Sequence, residues 1–87
     1  MDKEFIIALI KEVKDNQLSI DKVTKLLIEY CVVEYNKPVK ETNIFVSTLL
    51  SNPIMLPSYI DVALDYYKKK LNIGEVYSKD GKLLLTF

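Results

Sequence analysis

The chain has 87 residues, 49% apolar and 28% charged, with 12 basic and 12 acidic side chains and a formal net charge of zero. That length admits one domain near the lower limit of what folds without disulfides or metals, and the apolar fraction is too high for a disordered chain. Every basic residue is Lys, and Arg, His and Trp are missing. The usual instruments of guanine readout and phosphate clamping are therefore lacking, as is the commonest neutral-pH base and metal ligand.

Apolar burial at roughly 25 cal/mol per Å² offsets chain entropy only narrowly at this size. Association that covers more apolar surface would help, so an oligomer or an obligate complex is expected. The lone Cys31 allows no internal disulfide, which fits a reducing compartment. The start, MDKEFIIALIKEVK, places acids before a short apolar run, unlike the basic opening of a signal peptide, and no apolar stretch reaches the length of a membrane helix. A cytoplasmic protein with no membrane contact is expected. The abundance of Lys, Ile, Asn and Tyr matches AT-rich coding, as in low-GC bacteria, their phages and other mobile elements.

In chain order, a first helix is expected over about 3–15, with Phe5, Ile6, Leu9, Ile10 and Val13 on one face and Ile7 off the stripe, exposed. Asn16-Gln17-Leu18 is a turn, and Ser19 a suitable N-cap for a second helix over 19–35. Its inner face is Val23, Leu26, Leu27, Tyr30 and Cys31, and Asp21 and Lys25 are spaced to pair outside. Cys31 reads as a small buried core residue, with no His to activate it. Glu34 falls in the middle of that inner face. Fraying before Asn36 and Pro38 accounts for it; the sharper alternative is a partly buried carboxylate with a raised pKa or a Lys partner.

From Thr42 to Ile60 no residue is charged. A third helix over 40–51 begins in this run. Ile44, Phe45, Thr48 and Leu49 would form one face and Val46 and Leu50 a second, with Asn43, Ser47 and Ser51 between them. Ile54, Met55 and Leu56 then read as an apolar plug between Pro53 and Pro57, and the prolines argue against a membrane span. A fourth helix over 57–71 would bury Ile60, Ala63, Leu64, Tyr67 and Leu71, and carries a second stripe of Tyr59, Val62 and Tyr66. Asn72-Ile73-Gly74 would stop it. Asp80-Gly81 between two β-prone runs predicts a hairpin over 75–87, with Tyr77 opposite Leu84. The fold class expected is thus α+β: about four helices and a C-terminal β-hairpin in a single domain.

No catalytic, cofactor-binding or metal-ligating set emerges. Asp61 and Asp65, a carboxylate pair at helical spacing, read as a solvated face, no Gly-rich loop exists, and no small-molecule substrate is evident. An enzyme is not expected. Nucleic acid is the rival reading, with the fourth helix and hairpin as a winged-helix-like DNA-binding regulator using Lys68, Lys69, Lys70, Lys79 and Lys82. It is disfavoured because Asp61 and Asp65 lie where base contacts belong and residues 57–87 carry five Lys against four acids, too weak a basic footprint. The main expectation is a small regulatory or scaffolding protein acting through protein–protein contacts, with itself or a host protein. Val46 and Leu50, Tyr59, Val62 and Tyr66, and Tyr77 and Leu84 are its candidate contact residues, since Tyr is enriched at interface hot spots.

Overall fold

The computed structural model describes residues 1–73, of which 74% are helical, in four helices and with no strand among the described residues. This corrects the α+β assignment. Its β component rested wholly on the Asp80-Gly81 turn signal, whereas each segment within the described residues carries helical periodicity. The hairpin expected over 75–87 lies outside the described residues, and Tyr77, Leu84, Lys79 and Lys82 with it.

Helix α1 (Lys3–Lys14) is started by Asp2, whose Oδ1 accepts from the Phe5 N–H at 2.8 Å and so satisfies one of the orphan donors of the first turn. It buries Ile6, Leu9 and Ile10. Ile7, expected outside, is half-buried and packs against the core beside Phe5 and Val13. Helix α2 (Ile20–Glu29) buries Val23, Leu26 and Leu27. Ser19 sits at its N-cap but makes no side-chain cap bond. Its N–H instead donates to Glu12 Oε1 at 2.8 Å, and Glu12 also holds the Lys22 ammonium. The carboxylate thus ties α1 to the start of α2. Lys25, spaced to pair with Asp21, has its ammonium 5.1 Å from the centroid of the Phe5 ring.

The second helix does not fray before Glu34. It widens into a π turn over Tyr30–Glu34, closed by the Lys37 N–H donating to the Cys31 carbonyl at 3.0 Å. Helix α3 (Val39–Leu50) follows Pro38, and α4 spans Leu56–Lys70 with Pro57 in its first turn.

Helix α3 is rotated relative to the expected face. Thr42, Val46 and Leu49 are buried, while Ile44 is 63% and Phe45 39% exposed. With no charge on this segment, hydrophobicity marks no solvent side, and packing of the 42/46/49 face against α2 decides the orientation. Of the expected plug, Leu56 is half-buried against the core, and Ile54 and Met55 are corrected. Asn52 Oδ1 accepts from the N–H groups of Ile54 and Met55 at 3.2 and 3.1 Å, an Asx turn, and the side chains point outward, Ile54 83% and Met55 44% exposed. Helix α4 buries Ile60, Ala63, Leu64 and Tyr67, with Leu71 half-buried and Ile73 buried just beyond it. The buried side chains of all four helices join in one cluster. No described helix is long and apolar enough to cross a membrane.

Candidate functional site

The uncharged segment leaves much of itself at the surface. Ile44, Phe45, Ile54 and Met55 are exposed within it, as is Val62 (53% exposed) on α4. Scattered apolar side chains are ordinary on a protein surface; several from one segment, with Phe45 lining a hollow, make this the candidate site. Two hydroxyls of this segment bond to backbone carbonyls one turn back: Thr48 Oγ1 donates to the Ile44 carbonyl at 3.0 Å and Ser51 Oγ to the Ser47 carbonyl at 3.3 Å. Covering these two would strand neither.

The hollow beside it is a cleft of about 250 Å³ lined by Cys31, Lys37, Pro38, Glu41, Thr42 and Phe45. A second, of about 240 Å³, is lined by Tyr30, Cys31, Tyr35 and Lys37 and so shares two residues with the first. Phe45, the aromatic wall of the first, meets Tyr59 of α4 edge-on with ring centroids 5.3 Å apart.

The π turn builds the walls of the second cleft. Its i→i+5 bonding brings residues five apart to one side, where an α-helix would diverge them. Tyr30 and Tyr35 accordingly meet edge-to-face at 4.9 Å, and Tyr66 of α4 lies 5.3 Å from Tyr30 and 5.9 Å from Tyr35. Tyr67 completes the cluster at 5.3 Å from Tyr66. These separations lie in the favourable range for aromatic pairs. The hydrogen bond with Tyr35, then burial, pushes the Tyr30 hydroxyl up to about 12. Burial raises Tyr67 and Tyr66 as well, with Glu34 adding to both.

Glu34 fixes this wall to α4. Its side chain is 9% exposed and pairs with the Lys70 ammonium. That hydrogen-bonded pair holds the carboxyl below the usual carboxylate range and raises Lys70. The sharper sequence alternative is therefore met through its second branch, the Lys partner; the pKa moves down, not up, because the pairing outweighs burial. Cys31 is half-buried in the floor of both clefts, not in the core, and burial raises its thiol against a smaller opposing effect of Lys37. A thiol held protonated is a poor nucleophile. Among the described residues no group of three or more Cys, Asp or Glu side chains could hold a metal ion.

The candidate contact residues fall in different places. Val46 is in the core, 2% exposed, and Leu50 is half-buried against it. Tyr59 and Tyr66 are half-buried on the flank of α4 that faces Phe45 and the π turn. Of the lysines in the nucleic-acid reading, Lys70 is held by Glu34, Lys68 lies 3.5 Å from Asp65, and Lys69 is exposed. Sequence reasoning missed Ile44, Phe45 and Ile54 as surface residues. For Ile54 a signal was present, since Asn52 and two prolines around a tripeptide describe an exposed turn as well as a plug. The chain matches no known protein family, no characterised protein and no solved structure.

Proposed function

We propose that the protein is a small non-enzymatic binding module that regulates or scaffolds by holding a protein chain against the uncharged segment and the adjoining aromatic clefts. The observation that carries this reading is the exposure of Ile44, Phe45, Ile54 and Met55 within one charge-free stretch. Aromatic walls from Phe45, Tyr35 and Tyr30 support it, because large rings, with a polar tip in the two tyrosines, dominate interface energetics at low entropic cost. Conversely, the lysines of α4 are partly engaged by carboxylates, which weakens a phosphate-binding use of that helix.

The test is co-purification from the native host with the wild-type chain and with Phe45→Ser and Met55→Ser variants. Proteins, including further copies of the chain, that accompany the wild type should be lost from both variants while their helical circular dichroism stays unchanged. Retention of the same companions by both variants would remove the reading.

A further inference from the structure

We infer that the cleft walled by Phe45 receives the Pro53–Pro57 turn of a second copy of this chain, Ile54 of each protomer entering the cleft of the other about a two-fold axis. This deepens the protein-binding reading, on which it rests, by naming the partner. Ile54, at 83%, is the most exposed large apolar side chain among the described residues. Its turn is fixed by the two Asn52 hydrogen bonds and by flanking prolines, so little conformational freedom remains to be lost on docking. The cleft, at about 250 Å³, is large enough; apolar hollows of about 150 Å³ already take a benzene-sized group.

Knob and hole are linked through Tyr59. Its ring meets Phe45, and its N–H donates at 3.3 Å to the carbonyl of Met55, the residue after Ile54. That proximity suits reciprocal insertion, whereas a knob and hole on opposite sides would build an open chain of protomers.

Charge selects the second copy over other occupants. A two-fold interface sets a surface against itself, so like charges within it would oppose their own copies. Thr42–Ile60 carries none. The cleft does carry Lys37 and Glu41, one of each sign and both exposed, which a two-fold axis can place as reciprocal Lys37–Glu41 pairs. The net charge of zero adds no long-range repulsion.

Sedimentation equilibrium on the full chain should give a concentration-dependent monomer–dimer equilibrium. Ile54→Asp should weaken it about a thousandfold, about thirtyfold for each of the two interface hot spots lost, with the thermal melt of the monomer unchanged. Lys37→Glu and Glu41→Lys should each weaken the dimer a few-fold by placing like charges together, and the double reversal should restore it. A chain monomeric at every concentration, a dimer indifferent to Ile54→Asp, open-ended assemblies, or a double reversal weaker than either single change would each overturn the inference. A monomer that still captures a different protein through Phe45 would overturn the second copy alone and leave the protein-binding reading standing.

Discussion

Asn16, Asn36 and Asn72 share one backbone state, with φ of 56°, 54° and 56°, and each ends a helical segment. At Asn16 and Asn72 the closing bonds are those of a Schellman motif: Gln17 N–H to the Glu12 carbonyl and Asn16 N–H to Val13, then Ile73 N–H to Lys68 and Asn72 N–H to Lys69. Asparagine tolerates this left-handed state where other side chains crowd the next carbonyl. Asn16→Ala should therefore cost about 1 kcal/mol of unfolding free energy and Asn16→Gly less than about 0.5, read by urea denaturation. Glu12 has a role that extends past its own helix. Hydrogen bonding to Lys22 holds its carboxyl below the usual range. A group depressed on folding contributes stability that is complete above its unfolded pKa and is lost as pH falls through the folded value. Glu12→Gln should lower the melting temperature at neutral pH, by the equivalent of about 0.5–1 kcal/mol after solvent screening, and flatten its decline in acid. A variant that melts like the wild type at neutral pH, or declines as steeply in acid, would contradict that role.

At the scale of elements, the positions of the four helices were legible because Asn-bearing turns and prolines punctuate strong 3.6-residue periodicity. The orientation of α3 was not. Periodicity identifies a face only by contrast, and a helix uncharged on every side from Thr42 onward offers none there; Val46 and Leu49 are buried, with α3 packed on α2, and Ile44 and Phe45 are left outside. Leu49→Ala should cost about 2–5 kcal/mol, as buried leucines do, and Ile44→Ala less than about 0.5. Equal costs in denaturant melts would mean that α3 sits in the rotation read from the sequence. The π turn was illegible for a different reason. An extra residue in a helical turn leaves no compositional mark, and its one trace was Glu34, out of place on an apolar face at 100° per residue. The structure resolves that misfit by pairing Glu34 with Lys70 of α4, a contact 36 residues away in sequence that no local pattern encodes. Because the same turn brings Tyr30 and Tyr35 together, the second cleft was hidden for the same reason.

For the molecule as a whole, salt separates the two readings of its surface. Contact with a nucleic-acid backbone releases counterions, so affinity falls steeply and linearly on a logarithmic salt scale. Association through a charge-free segment has no such dependence. Its only charged contribution is the Lys37–Glu41 rim, and exposed pairs of that kind are worth little, so sodium chloride should loosen self-association only slightly. Sulfate should tighten it, because excluded ions favour burial of apolar surface. Sedimentation in increasing concentrations of each salt reads both effects together. A steep loss in chloride with no gain in sulfate would place the binding energy in the lysines, on α4 and at the rim, and would take it away from Ile54 and Phe45.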